Sequence, residues 1–331
     1  MGTEPGLDCL IAYGVGFSFV DDAKIIRQAD QARSLPDDVV CQAVEGAHPV
    51  AIARQQAASF DGIIDLVAYA GKKNISCSIT SNGMTVHKLS KKELSVLKEN
   101  KTLVNISVDS FKEEVQNFTR GSTKALSNAV LSIKKLHNAD IQTTVLSVIT
   151  KYNHHKLYEV VLDAFKLNIK QILFQPVISA SNYPGSPAID NKPQLNIPPE
   201  ELDTLMSELK KILHFEKHHP INTNVYRILP WIGSYIHSTA SINGAWFWED
   251  VLGKFYCREI DAIIDITYDG GIQACGLKSS GANIKYEQEE GLLDKWRRST
   301  APLRDDLEQE NFHAICNACC HHFSRNMLAS I

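Results

Sequence analysis

The chain has 331 residues, 44% hydrophobic and 22% charged, with a formal net charge of −4. That composition supports a large buried core and excludes a disordered chain. Charges of both signs are interspersed without long runs, which argues against nucleic acid as a main partner, and no stretch approaches the roughly 18 uninterrupted apolar residues that a membrane span needs.

At the N-terminus, "MGTEPGLDCLIAYGVGFSFVDD" has an apolar centre without a basic flank or a small-residue cleavage site, so no secretory signal is expected. A cytoplasmic chain is the expectation. In that compartment clustered cysteines read as metal ligands and scattered ones as core. "LDCLIAYGVGFSFV" is read as a first strand and "DDAKIIRQADQARSL" as the helix after it.

Short β-rich runs follow at residues 38–44, 75–80, 103–109, 141–150 and 171–178, with helical patterns between them. The clearest helix is "STKALSNAVLSIKKLHNAD", where Leu126, Ala129, Val130, Ile133 and His137 recur at helical spacing and Ser122 is the expected N-cap. Strand and helix alternating at this spacing give about six parallel βαβ units. A partial barrel and an open doubly wound sheet both fit that count. Cys41 and Cys77 fall inside apolar strands and read as core.

Residues 179–200 hold five prolines in 22 residues, an irregular connection that marks a lid or a boundary. A helix is expected over "EELDTLMSELKKILHFEK". The three histidines of "HFEKHHP" sit near its end, where cations suit the helix dipole, and are not read as a metal site. The aromatic group around Trp246, Trp248 and Phe255 reads as core.

In "DITYDGGIQACGLKSSG" (265–281) a strand, a tight Asp-Gly turn and a second strand lead to Cys275. With Cys257, and after a loop of about forty residues Cys316, Cys319 and Cys320, the pattern is C-x(12)-G-x(4)-C, a gap, then C-x(2)-C. A hairpin brings Cys257 and Cys275 together and the knuckle adds two thiolates. Four thiolates suit zinc or an iron–sulfur cluster. Cys320 competes with Cys319 as ligand, and His321 and His322 read as outer partners.

This arrangement resembles the SPASM, or twitch, extension of radical S-adenosylmethionine (SAM) enzymes. Further motifs carry the likeness: "SITSNGM" (78–84), "NISVDS" (105–110), "FTRG" (118–121), "VITKYN" (148–153) and "LFQPVI" (173–178) resemble that family's strand ends in order. The resemblance implies an α/β fold with a partial (β/α)6 TIM-like barrel over residues 1–198, a helical connection over 199–244 and a small SPASM/twitch-like domain over 245–331. It further implies SAM bound near Asn82, Ser107, Asp109 and Arg120. An auxiliary 4Fe-4S cluster would be held by Cys257, Cys275, Cys316 and Cys319, and a peptide or small-molecule substrate, or a partner enzyme, is expected. If the fold holds, His154 and His155 face the barrel mouth, although solvated loop histidines are the default reading.

The chain departs from the family at its first cluster loop. The C-x(3)-C-x(2)-C motif aligns with Cys9, Tyr13 and Gly16, and the Gly-Gly-Glu-Pro motif with Gly46, Ala47, His48 and Pro49. In a second register Gly2 to Pro5 matches Gly-Gly-Glu-Pro, which makes the chain a fragment. The expectation is therefore an iron–sulfur protein related to enzymes using 5′-deoxyadenosyl radical chemistry, or a non-catalytic homologue retaining only the auxiliary cluster.

Overall fold

The structure is a computed structural model that describes residues 16–17, 50–53, 62–177, 195–240, 264–266, 271–275, 278–283 and 292–309. The predicted strand 38–44, the helix after the first strand, Cys41 and the aromatic group at 244–257 lie outside these residues.

Six strands form one wholly parallel sheet: β2 (Val50–Ala53), β3 (Cys77–Ser81), β4 (Leu103–Ser107), β5 (Thr143–Ile149), β6 (Gln171–Pro176) and β7 (Asn222–Thr223). They lie side by side in chain order, each pairing with the next. This order decides between the two architectures left open by the sequence. A doubly wound sheet reverses direction at a switch point, whereas successive right-handed crossovers stepping one way place every helix on one face, as in a barrel.

The expected strands 75–80, 103–109, 141–150 and 171–178 appear as β3–β6, whereas β2 and β7 were not expected. The short strand β1 (Gly16–Phe17), inside the expected first barrel strand, pairs antiparallel with β8 (Ile264–Ile266) in a second sheet. The place is made up at the other end by β7. The strand pairing with β3 begins at Val50, directly after the tetrapeptide 46–49.

Pleat and register sort the central strands into two faces. Ile79, Ile106, Val145 and Ile172 share one face and are nearly or fully buried. That face packs on the helices: α1 (Ile63–Lys72), α2 (Lys91–Glu99), α4 (Ala125–Asn138), α5 (Leu157–Lys166) and α6 (Leu202–Glu216), with α3 (Glu113–Arg120) inserted before α4. The opposite face is mixed, carrying Ser78, Thr80, Asn105, Ser107, Thr144 and Gln171 beside Leu103, Leu146 and Leu173. There Asn105 Nδ2 donates to Ser78 Oγ at 2.9 Å and to Thr80 Oγ1 at 3.3 Å. Cys77 is 3% exposed, and burial pushes its thiol pKa up to about 12, so it is an inert core group as expected.

Two local expectations for α4 change. Its N-cap is Lys124, not Ser122; the start is tied down by Asn117 of α3, whose Oδ1 accepts from Leu126 N at 3.1 Å. The buried stripe is Ala125, Ala129, Ser132, Ile133 and Leu136, with His137 exposed. A helix lying against two strands and α3 is rotated by those neighbours, which its own periodicity does not contain.

Helix α2 has a capping box: Ser90 Oγ accepts from Glu93 N at 3.3 Å and Glu93 Oε2 accepts from Ser90 N at 2.6 Å. These bonds hold the Glu93 carboxyl below its ordinary pKa, so their contribution is present above the carboxylate range and fades as acid titrates Glu93. Ser90→Ala is expected to cost about 1 kcal/mol, read from the urea midpoint at neutral pH, with a smaller loss near pH 3.

Past the barrel strands come α7 (Val225–Ile228) and α8 (Ile232–Ala240). The predicted ribbon is present: β8 pairs antiparallel with β9 (Gly271–Cys275), which pairs with β10 (Lys278–Asn283). Ile266 stands opposite Ile272, leaving the five residues 267–271 between them. The expected Asp-Gly turn at 269–270 lies outside the described residues. The expected forty-residue loop after Cys275 instead holds β10 and the helix α9 (Leu292–Glu308). Trp296, Thr300, Leu303 and Leu307, all buried, give α9 its helical stripe.

Candidate functional site at the C-terminal ends of the strands

The C-terminal ends of parallel strands are where backbone groups run out of partners and side chains must take over. β3 ends in Ser81-Asn82-Gly83: Gly83 N donates to Ser81 Oγ at 3.1 Å and Met84 N to Asn82 Oδ1 at 3.0 Å. Gly83 has φ +76°, and a Cβ there would lie 2.8 Å from Ala129 Cα, so glycine is required both by its conformation and by the approach of α4.

β4 ends in Ser107-Val108-Asp109. Asp109 Oδ1 accepts from Arg120 Nη2 at 2.5 Å and from Val148 N of β5 at 2.9 Å. The two side chains are 4% and 16% exposed, so this is a largely desolvated pair. Arg120 enters from the last residue of α3, which Gly121 terminates at φ +64°. Its buried Nε has no partner among the described residues.

Two groups hold this corner, and a third holds the next strand but one. Gln116, fully buried, accepts at Oε1 from Asp109 N at 2.7 Å and Ser110 N at 3.2 Å, and donates from Nε2 to Ser107 O at 3.1 Å. Asn153 donates from Nδ2 to Asp109 O and Val148 O, both at 2.8 Å, and accepts from Thr150 N at 2.7 Å. On the far side Asn224 brackets β6, accepting from Phe174 N and donating to Phe174 O, each at 2.8 Å. Gln116 was missed by sequence reasoning, because a glutamine inside an exposed-looking helix carries no signal of its own. Asn224 directly follows the two-residue β7, and a polar amide ending so short a strand is the signal that could have found it.

His154 corrects the reading of a solvated loop histidine: it is 4% exposed. Its Nδ1 lies 3.0 Å from Lys151 O, a pure acceptor, so Nδ1 carries the proton and donates. Nε2 faces Glu201 Oε2 at 3.4 Å. His155 is more exposed; burial, then the neighbouring His154 and Lys156, hold its pKa below the ordinary histidine value. At the end of α6, His219 stacks on Phe215 with ring centroids 3.8 Å apart.

Of the sequence-predicted site residues, the fold brings Asn82, Ser107, Asp109 and Arg120 to the same end of the sheet, with Asp109 and Arg120 in direct contact. Cys275 is the last residue of β9. Cys257, Cys316 and Cys319 lie outside the described residues, as do Cys9, Tyr13 and His48.

Residues 17–164 are similar to the model described as the Radical SAM superfamily. Solved structures share the fold. The crystal structure of Streptococcus suis SuiB is similar with a TM-score of 0.54 and 14% identity, over 82% of this chain and 61% of that one. SuiB bound to precursor peptide SuiA gives 0.52 and 15%, over 82% and 59%. Native anSMEcpe with bound AdoMet gives 0.52 and 15%, over 77% and 67%. The chain thus spans about three fifths of the length of the SuiB chains. No curated protein matches it by sequence. Among the described residues no helix is long and apolar enough to cross a membrane.

Proposed function

We propose that this protein binds SAM at the C-terminal ends of β3–β5 and an iron–sulfur cluster at Cys257, Cys275, Cys316 and Cys319, and that it takes a peptide as substrate. The observation that carries the reading is the Asp109–Arg120 corner. Arg120 is fixed by one bond to Asp109 yet keeps a buried Nε–H without an acceptor, and a carboxylate such as that of SAM supplies one. Ser107 and Asn82 add polar groups at the same end of the sheet. The peptide is suggested by the neighbour bound to a precursor peptide.

The donor chemistry of the four cysteines fits one cluster, whose part, when bound, is one-electron transfer or substrate ligation. The donor set for the SAM-ligating cluster does not fit: beside Cys9, Tyr13 offers a phenol and Gly16 no side chain, so these three positions cannot hold it. The same mismatch favours a second reading, a non-catalytic homologue that keeps only the auxiliary cluster and acts as a partner or regulator of another enzyme.

Iron and acid-labile sulfide measured after anaerobic reconstitution test both. About four irons per chain, lost in Cys275→Ser and Cys316→Ser, support the auxiliary site. About eight, with 5′-deoxyadenosine released on reduction by dithionite, support catalysis; four irons without release support the second reading. Zinc without sulfide overturns both.

A further inference from the structure

A second concave feature lies on the helix layer, away from the strand ends. Between α2 and α4 runs a groove of about 650 Å³. Leu94, 8% exposed, forms its floor and Leu131, 51% exposed, stands at its rim. Lys91, Lys98, Lys134 and Lys135 surround them. Lys98 pairs with Asp140 at 3.3 Å, and Lys135 Nζ donates to His87 O at 2.7 Å while standing near Glu93, whose Oε2 is held by Ser90 N. Lys91 and Lys134 have no partner among the described residues. The groove is thus positive on a chain whose net charge is −4.

We propose that this groove docks an acidic, amphipathic segment of a partner polypeptide. Charge complementarity selects the sign: carboxylates would meet two uncompensated ammonium groups and two partly compensated ones. The apolar floor and rim select the class. Two parallel ridges with a leucine between them suit apolar side chains spaced a helical turn apart. Nucleic acid is disfavoured because no phenylalanine, tyrosine or tryptophan ring lines the groove to stack a base, and its one imidazole, His87, is half-buried. A flat bilayer would reach the exposed Leu131 but not the buried Leu94.

The groove runs along the whole of α2 and the C-terminal half of α4, on the outer helix layer and not at the strand ends that carry Asp109 and Arg120. This inference does not depend on the proposed SAM and cluster chemistry.

The test is fluorescence anisotropy of a labelled peptide of about 14 residues, with glutamates on one helical face and leucines at i, i+4 on the other, titrated with the full chain. Saturable binding is expected, weakened about tenfold by Lys91→Glu/Lys134→Glu and by raising salt from about 0.05 to 0.3 M. Leu131→Ser should weaken it several-fold. Lys210→Glu/Lys217→Glu at α6 should leave it unchanged. All the substituted side chains are exposed, and unchanged melting curves confirm that the variants fold. Binding insensitive to the groove reversal, or lost equally with the α6 reversal, overturns the proposal. So does a single-stranded oligonucleotide of equal length that binds more tightly than the peptide.

Discussion

Replacing Asp109 by alanine is expected to destabilise the protein by about 3–5 kcal/mol, read as a lowered urea midpoint with an unchanged slope. The magnitude follows from what is left behind. Arg120, only 16% exposed, loses its counter-ion, and Val148 N–H at the mouth of β5 loses its acceptor. Neither is fully rehydrated, because Gln116 and Asn153 still hold the surrounding backbone closed. Asp109→Asn keeps an oxygen for Val148 and should fall between wild type and alanine. The double variant Asp109→Ala/Arg120→Ala should lose less than the sum of the single losses, by about 1–3 kcal/mol, since the second change removes a charge already stranded. Strict additivity would show that the two side chains do not act as a pair. On the proposed function, both single variants also lose SAM affinity in a titration.

The second large effect is at Gly83. Gly83→Ala is expected to cost about 2–5 kcal/mol from two sources: a left-handed conformation unfavourable to any L side chain, and an overpacked contact with a helix backbone. A flexible side chain in that place could give way, but the nearest atom is Ala129 Cα, which has no rotamer to change. Gly121→Ala separates the two sources. Its φ of +64° is similar and nothing lies within 4 Å, so it should cost only about 1 kcal/mol. Equal losses at the two positions would show that α4 moves away freely and that Gly83 matters for its dihedral angle alone.

The strand-end residues are legible in the sequence only through a resemblance: "SITSNGM" and "NISVDS" follow the order of strand ends in radical SAM enzymes. What holds these ends in register is not legible. Gln116 reaches back nine residues to Ser107, and Asn153 reaches 44 residues to Asp109. Such bonds depend on which strands become neighbours, and hydrophobic spacing carries no record of that.

The same distinction runs through the whole chain. By itself the sequence determined the alternation of strand and helix, the β-ribbon leading to Cys275 and the burial of Cys77, because each follows from the period of apolar residues within one segment. Only the tertiary structure decided that the parallel strands stand in chain order as a barrel wall, that β7 supplies the sixth of them while Gly16–Phe17 joins the ribbon, and that α4 turns a different stripe inward. Those outcomes are set by competition between segments for the same edge or face, and the winner is the arrangement that buries most apolar surface with every backbone group paired.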